Sequence, residues 1–289
     1  MNITFADDHD RTGRWSVRLE KTDSHEQYSE IFDAIAIASG HHHTPLWPKY
    51  DDQDKFRGKI IHSNEWKSAD GYDGQTVIVV GSGNSGCDTA VELAPVANQV
   101  YLASRRGVWV RSRLGPGGRP LDVLMTTRAS KVAMSLVPTF LMNYVNEAIS
   151  NLNFNHELYG LKPRHRFMEQ HPTINDMLPN YVISGRIKTR RNIERFTEDG
   201  VVFEGTNQEV VKADVVIFAT GFKLDVPFVD SSIIAVIDNK QRLFMGTFNP
   251  QLQHSHTIGL IGAVQPLGPV HTTAEVGFLN HDHNHNHAH

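Results

Sequence analysis

Short apolar runs alternate along the chain with polar and glycine-rich segments, and most of these runs have the character of strands. Residues 15–19 (WSVRL) alternate apolar and polar positions, which predicts a half-buried strand, whereas 32–38 (FDAIAIA) predict a more deeply buried one. The unbroken β-branched run at 77–80 predicts a central strand, and a second strand is predicted at 100–103. The apolar positions of 87–94 recur at helical spacing, so a helix is predicted between these two strands.

The rest of the chain is less regular before it returns to strands. Segment 113–180 contains the Pro/Gly-rich run LGPGGRP and a helix predicted to break near Pro138, and we interpret it as an insertion. Residues 182–218 contain the strand-like pieces VISGRI, IERFT, GVVFEG and VVIFA, which predict an antiparallel meander leading into a last parallel strand. A further strand pair is predicted at 233–237 and 257–263.

One short sequence occurs twice. Residues 33–40 (DAIAIASG) and 214–221 (DVVIFATG) each contain an aspartate, a run of small and β-branched apolar residues, a hydroxyl residue, and a glycine seven positions after the aspartate. Any buried strand that ends in a tight turn has a similar composition, so one copy alone carries little information. Two copies with the same internal spacing indicate a repeated structural unit.

Composition excludes several classes of protein. The chain has 28 Lys and Arg against 32 Asp and Glu, a net charge of −4, which argues against a nucleic-acid partner. The single cysteine excludes an internal disulfide and fits a reducing, intracellular compartment. The apolar stretch 132–146 is shorter than the roughly 20 residues that span a bilayer. For its part near 136–144 we favour a buried helix, with a helix lying on a membrane surface as the alternative.

The sequence GSGNSG follows the central strand and opens the predicted helix, which is the context of a dinucleotide-binding turn. Gly81, Gly83 and Gly86 allow a tight turn and a close approach to a pyrophosphate, whose charge is met by backbone N–H groups at the start of the helix. A turn that serves packing alone is the alternative. The predicted donors are the backbone groups of Asn84, Ser85, Gly86, Cys87 and Asp88.

The end of the second strand indicates which dinucleotide is bound. An NAD site has an acidic residue about 20 positions beyond the glycines. This sequence instead has Arg105 and Arg106, 19 and 20 residues beyond Gly86. A guanidinium suits a 2′-phosphate by charge and by bidentate geometry, so the sequence favours NADP over NAD. The alternative is a solvated arginine pair at a strand end.

Neither the cysteine nor the histidines predict a catalytic or metal site. Cys87 lies at a helix N-terminus, where a thiol pKa can fall, but no second cysteine or GxSxG sequence accompanies it, and we favour a packing role. Residues 41–43 are adjacent histidines that point in different directions on a strand, so no metal ligand is assigned. The His-rich end, 281–289, is interpreted as a low-complexity tail outside the fold.

Several segments resemble one family. FRGKIIHSNEW, with Phe56, Gly58, His62 and Trp66, closely resembles the fingerprint FxGxxxHxxxY/W that precedes the second glycine-rich loop of flavin-dependent monooxygenases. The match continues through VGSGNSG, FATGF and VQPLGPVHTTAE. HELYGLKPRHR and HPTINDMLPNYVISGRIK are similar to the flavin-containing monooxygenases that oxygenate nitrogen and sulfur.

One position departs from that branch. Trp66 stands where tyrosine is usual, and tryptophan is more typical of Baeyer–Villiger monooxygenases, in which proline or aspartate then follows. Here Lys67 follows. Because the long segment matches outweigh one aromatic exchange, the N/S-oxygenating branch is favoured and Baeyer–Villiger chemistry is the related alternative.

The resemblance implies an α/β fold with a Rossmann-like NADPH-binding domain at 48–222, carrying the insertion at about 113–180. It also implies partial strands of a second, FAD-binding Rossmann-like domain in 1–47 and 223–280. The implied reaction is hydride transfer from NADPH to FAD, capture of molecular oxygen as a flavin C4a-hydroperoxide, and oxygen transfer to a small-molecule amine or sulfide. Gln265 is expected to approach the flavin ring, and no catalytic acid or base stands out. The implied location is cytoplasmic or associated with the endoplasmic reticulum.

A second departure is larger. In the family a first GxGxxG near the N-terminus binds FAD, whereas this sequence has one glycine-rich loop, so we expect a portion of a longer enzyme whose activity alone is in question. One alternative is a non-catalytic NADP-binding remnant. Another is a flavin-dependent disulfide reductase, against which the single cysteine argues.

Overall fold

The computed structural model describes residues 1–125 and 127–262, and the chain divides into two compact units. Unit 1 is formed by Met1–Thr44 together with the described residues from Phe222 onward, and unit 2 is Pro45–Gly221. The strands in chain order are β1 (Asn2–Phe5), β2 (Trp15–Glu20), β3 (Gln27–Phe32), β4 (Ile35–Ile37), β5 (Thr44–Pro45), β6 (Lys59–His62), β7 (Thr76–Val80), β8 (Gln99–Ala103), β9 (Val110–Arg111), β10 (Thr173–Ile174), β11 (Ile187–Arg190), β12 (Ile193–Phe196), β13 (Gly200–Phe203), β14 (Val210–Lys212), β15 (Val215–Phe218), β16 (Phe222–Lys223), β17 (Val236–Ile237), β18 (Lys240–Gln241) and β19 (Ile258–Leu260). The helices are α1 (His9–Thr12), α2 (Asn84–Leu93), α3 (Leu121–Met125), α4 (Arg128–Leu136), α5 (Thr139–Asn153) and α6 (Leu178–Ile183).

A five-stranded parallel sheet forms the centre of unit 2, with the strand order β11-β8-β7-β15-β6. The central strands are apolar over Val77–Val80 of β7 and along the whole of β15, because both faces of the sheet are covered. Helix α2 packs on one face, and the antiparallel sheet β12-β13-β14 packs on the other. The predicted α/β class with a Rossmann-like parallel sheet is confirmed.

Most elements around the glycine-rich turn agree with the sequence. The strands predicted at 77–80 and 100–103 and the helix predicted at 87–94 are confirmed as β7, β8 and α2, and the last parallel strand is β15. Residues Lys59–His62 form the edge strand β6, which the sequence did not predict.

The strand predicted at 182–187 is wrong, because the chain is helical up to Ile183 in α6 and becomes a strand only at Ile187. The side chain of Asn175 accepts hydrogen bonds from the N–H groups of Met177 and Leu178, which starts the helix. Leu178 and Val182, four residues apart, are both buried in the core beside α2. Tertiary packing therefore overrides the β-branched composition.

Unit 1 contains an antiparallel sheet β1-β2-β3, a parallel pair of β4 with β19, and a hairpin of β17 with β18. Its core surrounds Trp15, whose Nε1 donates to Thr257 Oγ1 at 2.9 Å. The single strand predicted at 32–38 is wrong, since β3 ends at Phe32 and β4 begins at Ile35 in another sheet.

The strand pair predicted at 233–237 and 257–263 is also wrong. β17 pairs with β18, and β19 pairs with β4. Asp238 and Asn239 both adopt left-handed conformations, with φ of 51° and 58°, so they form a tight two-residue connection between β17 and β18. This local turn decides the partner of β17.

The repeated sequence ends at both passages of the chain between the units. β4 is followed by Gly40 and β15 by Gly221, with φ of +75° and +83°. The chain enters unit 2 after Thr44 and returns to unit 1 after Gly221. A left-handed turn that favours glycine therefore follows each copy.

The insertion contains α4 and α5, separated at Pro138 as predicted. The expectation of a buried apolar helix is wrong, because Leu136, Phe140 and Tyr144 are 79%, 70% and 68% exposed. The face of α5 that packs inward is polar and carries Asn143, Asn146 and Ser150. None of the described helices combines the length and the apolar character needed to cross a bilayer.

Candidate functional site

The glycine-rich turn lies at the carboxyl end of β7, beside the end of β15. Gly81 has φ +118°, and its N–H donates to Ala103 O at 2.9 Å. A Cβ atom at Gly81 would lie 2.3 Å from Ala219 O, and one at Gly86 would lie 1.9 Å from Gly81 O. The close approach of three backbone segments therefore requires glycine at both positions.

Gly83 is different from the other two glycines of the turn. Its backbone is extended, with φ −71°, and a Cβ atom there would meet no described atom within 4 Å. Packing among the described residues does not require glycine at this position. A glycine without a packing reason at the second position of the turn fits close approach of a ligand, which is its role in a dinucleotide-binding turn.

The N-terminus of α2 offers free backbone donors beside that open space. The N–H of Cys87 donates to Gly83 O at 3.0 Å, which is the first hydrogen bond of the helix. By helix geometry the N–H of Asp88 bonds to Asn84 O. These two N–H groups thus have partners inside the helix, whereas the three that precede them, those of Asn84, Ser85 and Gly86, are the groups left for an anion.

Cys87 is fully buried below the turn, and its Sγ donates to Ser82 O at 3.4 Å. Burial, reinforced by the charge of Asp88, raises the pKa of the thiol to about 12. The group is a neutral thiol at physiological pH, so the helix N-terminus does not activate it. The geometry agrees with a packing role.

Three consecutive residues of the insertion hold the turn in place, and we call Thr173–Ile174–Asn175 the clamp. The sequence motifs assign them no role at the turn, because they lie about 90 positions from it. Each of them makes one hydrogen bond to the turn or to the first residues of α2. The bonds are Thr173 Oγ1 to Ser82 O at 2.8 Å, Ile174 N to Asn84 Oδ1 at 3.0 Å, and Asn175 Nδ2 to Asp88 Oδ1 at 2.7 Å.

The turn is also tied to the loop that follows β8. The hydroxyl groups of Ser82 and Ser104 lie 2.7 Å apart, and Ser104 Oγ accepts a hydrogen bond from Gly107 N at 3.1 Å. Arg105 and Arg106, between these anchors, are both exposed. The glycine-rich turn and the arginine pair, both predicted from the sequence, therefore lie at the same edge of the sheet.

The two arginines face different neighbours. Burial raises the pKa of Tyr50, and the nearby charge of Arg105 opposes that shift. Burial lowers the pKa of His165, and the nearby charge of Arg106 adds to that shift. Arg105 therefore lies within electrostatic reach of Tyr50, and Arg106 within reach of His165. Gln265 lies outside the described residues.

The fingerprint residues support the sheet. Phe56 is buried edge-on against Phe196, with ring centroids 5.6 Å apart. A Cβ atom at Gly58 would lie 2.5 Å from Asp214 O, next to the start of β15. Trp66 packs on Tyr72, with ring centroids 5.1 Å apart. The motif therefore specifies how the edge strand β6 joins the central strands.

The order of the strands identifies the class of protein. From β7 the chain continues to β8 on one side, whereas β15 lies on the other side of β7. The order in which strands are added to the sheet therefore reverses between β7 and β15. Open parallel sheets bind ligands at the carboxyl ends of the strands on either side of such a reversal. Unit 2 thus has the fold and the turn geometry that are typical of dinucleotide-binding α/β units.

The family described as flavin-binding monooxygenase-like matches residues 1–278. The chain belongs to this family, and the predicted resemblance is confirmed. It is 39% identical over 280 residues to flavin-containing monooxygenase 5 of Cavia porcellus, covering 95% of this chain and 51% of that protein. It is 37% identical over 279 residues to dimethylaniline monooxygenase [N-oxide-forming] 2 of Oryctolagus cuniculus, covering 96% of this chain and 51% of that protein.

A solved structure gives the same fold. An oxidized steroid monooxygenase bound to NADP superposes with a TM-score of 0.63 at 16% identity, covering 91% of this chain and 60% of that chain. The chain spans about half the length of the curated relatives it matches.

Proposed function

We propose that this chain supplies the NADPH-binding part of an NADPH- and FAD-dependent monooxygenase that oxygenates soft nitrogen or sulfur in small molecules. The observation that carries the proposal is the turn at Gly81–Gly86. It combines glycines required by packing, an open approach at Gly83, and free N–H groups at the start of α2. NADP fits this site because the exposed guanidiniums of Arg105 and Arg106 follow the adjacent strand, where the 2′-position of the ribose lies.

The described residues account for a binding site for NADP more completely than for one for FAD. In the described residues of unit 1 no glycine-rich turn connects a strand to a helix, so those residues do not by themselves form a site for the FAD pyrophosphate. When bound, flavin supplies hydride acceptance and oxygen activation. None of the described residues of unit 1 is given a chemical role in the proposed reaction.

Unit 2 contributes binding and orientation. The N–H groups of Asn84, Ser85 and Gly86 receive the pyrophosphate, and the clamp keeps the turn in the conformation that presents them. Arg105 and Arg106 receive the 2′-phosphate. These contacts fix the dinucleotide along the carboxyl edge of the sheet, and no proton transfer by a described side chain is required for them.

Oxygenation of nitrogen or sulfur is favoured over Baeyer–Villiger chemistry by the relatives and by one residue. A relative at 37% identity is named for forming N-oxides. In addition, Lys67 follows Trp66, whereas proline or aspartate follows tryptophan in the Baeyer–Villiger pattern. Baeyer–Villiger oxygenation and non-catalytic NADP binding are the alternative functions.

One set of measurements separates these functions. The purified chain is titrated with NADP⁺ and with NAD⁺, and its visible spectrum is recorded after addition of FAD and removal of unbound flavin. NADPH oxidation is then followed with a tertiary amine, a sulfide and a cyclic ketone. Preference for NADP⁺ with turnover of the amine or sulfide supports the proposal. Turnover of the ketone alone indicates Baeyer–Villiger chemistry, NADP⁺ binding without flavin retention indicates a non-catalytic unit, and absence of dinucleotide binding overturns all three.

We also propose that the outer face of α5 lies on a membrane surface, in keeping with the endoplasmic-reticulum association that the resemblance implies. Its inward face is polar: Asn143 Oδ1 accepts from Met168 N at 2.8 Å, and Asn146 Oδ1 accepts from the Arg111 guanidinium. Its apolar residues, among them Phe140 and Tyr144, are exposed. A helix with this distribution is suited to the interface between lipid and water.

Vesicle co-sedimentation tests this second proposal. The chain is mixed with phosphatidylcholine vesicles and with vesicles that also contain phosphatidylserine. Phe140→Ser combined with Tyr144→Ser is expected to release the protein to the supernatant, and Phe244→Ser, at a residue 52% exposed in unit 1, is the matched control. Equal sedimentation of the two variants, or no sedimentation of the unaltered chain, contradicts the proposal.

A further inference from the structure

Arg190, the last residue of β11, and Arg191, which follows it, lie at the edge of the sheet where Arg105 and Arg106 lie. Parallel pairing aligns Arg190 with Ala103 at the end of β8. The N–H of Ser104 then donates to Arg190 O at 2.9 Å. Neighbouring strands of a sheet are about 4.8 Å apart, so the chain at Arg190 lies next to the residue that precedes Arg105. The sequence alone did not reveal this, because 84 positions separate Arg190 from Arg106.

The side chain of Arg190 has a defined position. Its guanidinium lies over the ring of Tyr101 in β8, 5.3 Å from the centroid, and its Nη1 donates to Thr189 O at 2.9 Å. Lys188 lies on the same strand two residues earlier, with its Nζ 5.9 Å from the centroid of the same ring. Alternate residues of a strand share a face, so Lys188 and Arg190 differ mainly in their distance from the carboxyl edge.

The arginines at this edge form no direct ion pair within the described chain. Among residues 1–125 and 127–262, no carboxylate lies within 4.0 Å of the guanidinium nitrogens of Arg105, Arg106, Arg190 or Arg191. Four guanidiniums at the ends of two adjacent strands raise the local positive potential and attract a multiply charged anion. A 2′-phosphate carries nearly two negative charges, more than one guanidinium balances.

We propose that Arg190 is a third guanidinium of the 2′-phosphate site, beside Arg105 and Arg106, and helps to select NADP over NAD. This inference rests on the proposed function of unit 2 as the NADPH-binding part. The ribose of the adenosine lies at the end of the second strand of such a unit, which is β8 here, and β11 is the next strand outward. The guanidinium already lies against the ring of Tyr101. It therefore loses less conformational freedom when it binds the phosphate.

Isothermal titration calorimetry of the full chain with NADP⁺ and with NAD⁺ tests the inference. For Arg190→Ala we expect NADP⁺ affinity to fall by on the order of tenfold, because a charge-assisted hydrogen bond is lost. NAD⁺ affinity is expected to change less than about twofold, since NAD⁺ has no group for this guanidinium. Arg190→Lys retains the charge and is expected to recover part of the loss.

Lys188→Ala is the matched control, because it removes one positive charge and one cation contact from the same ring. It is expected to leave the ratio of NADP⁺ to NAD⁺ affinity unchanged. An equal effect of Arg190→Ala and Lys188→Ala on NADP⁺, or an equal loss of both dinucleotides in Arg190→Ala, overturns the inference while the proposed function stands. If the unaltered chain binds neither dinucleotide, the proposed function fails and the inference fails with it. Thermal denaturation of each variant separates binding losses from misfolding.

Discussion

The imidazole of His62, buried at the end of β6, lies with Nε2 3.1 Å from the carbonyl oxygen of Gly221. A carbonyl oxygen can only accept, so Nε2 carries the proton and donates to Gly221, while Nδ1 lies 3.3 Å from Asn64 N and 3.2 Å from Asn64 Oδ1. The last residue of the second repeat copy is thereby joined to the edge strand, directly before the chain leaves unit 2. The histidine of the fingerprint thus has a structural role within unit 2: it joins β6 to the segment that follows β15.

We predict that His62→Ala lowers the free energy of unfolding by about 3 kcal/mol, because it removes a hydrogen bond and leaves a buried cavity. His62→Gln, which can place an amide donor near the position of Nε2, is expected to recover part of the loss. Urea denaturation measures both variants. Equal destabilisation by the two substitutions would show that ring packing, and not the bond to Gly221, is the dominant contribution.

Two glycines of the turn should separate folding from binding. Gly86→Ala places a Cβ atom 1.9 Å from Gly81 O, so we expect a loss of stability of roughly 3 kcal/mol. Gly83→Ala meets no described atom within 4 Å, so its stability is expected to stay within about 1 kcal/mol of the unaltered chain. Because its methyl group enters the space of the pyrophosphate, NADP⁺ affinity is expected to fall by about tenfold or more.

Thermal denaturation and NADP⁺ titration of these two variants provide the measurement. The roles assigned to the glycines are reversed if Gly83→Ala unfolds readily, and the position of the ligand is wrong if Gly83→Ala binds NADP⁺ normally.

The clamp should act on binding through the turn. In Thr173→Val the hydroxyl that donates to Ser82 O at 2.8 Å is lost, which leaves a carbonyl of the turn without that partner. We expect NADP⁺ and NAD⁺ affinity to fall alike, by about fivefold, because both contain the pyrophosphate. Thr173→Ser retains the hydroxyl and should bind as the unaltered chain does. A loss confined to NADP⁺ would instead connect Thr173 with the 2′-phosphate.

The thiol of Cys87 should not react in the folded protein. Burial raises its pKa to about 12, and the reactive thiolate is therefore scarce at neutral and mildly alkaline pH. A colorimetric disulfide reagent is expected to detect no thiol in the native chain and one thiol per chain after denaturation, since the sequence contains a single cysteine. Rapid modification without denaturant would show that the turn opens readily.

His156 should give the stability a dependence on acid pH. The N–H of Val110 donates to its Nε2 at 2.9 Å, and its Nδ1 lies 2.9 Å from Asn151 Oδ1, so the neutral ring is the form that satisfies both contacts. Burial lowers the pKa of this histidine from 6.5 to about 4. Since the unfolded chain takes up the proton first, the stability contributed by the neutral ring is complete above 6.5 and is lost as the pH falls toward 4.

His156→Gln retains an acceptor but does not titrate. We expect its free energy of unfolding, measured by urea denaturation across this range, to decrease less steeply with falling pH than that of the unaltered chain. Parallel pH profiles would contradict the assignment. Comparison of the two chains removes the contribution of the other histidines.

Local sequence was sufficient to predict the unit around the glycine-rich turn. The β-branched run of β7, the glycines and the helical spacing of α2 all act within about 30 residues, so their propensities and the turn chemistry agree. The spacing of Arg105 and Arg106 from Gly86 likewise predicted the edge where they lie. The family resemblance rests on similarly contiguous segments.

Contacts between distant residues decided the rest. The clamp, the pairing of β11 with β8 and the bond from His62 to Gly221 join residues about 85 to 160 positions apart, and no local pattern reports such pairing. Packing against α2 made 178–183 a helix despite β-branched residues, and polar contacts of Asn143 and Asn146 turned the apolar face of α5 outward. Apart from proline, local propensities differ by at most about 1 kcal/mol per residue, so burial and hydrogen bonding in the folded chain override them.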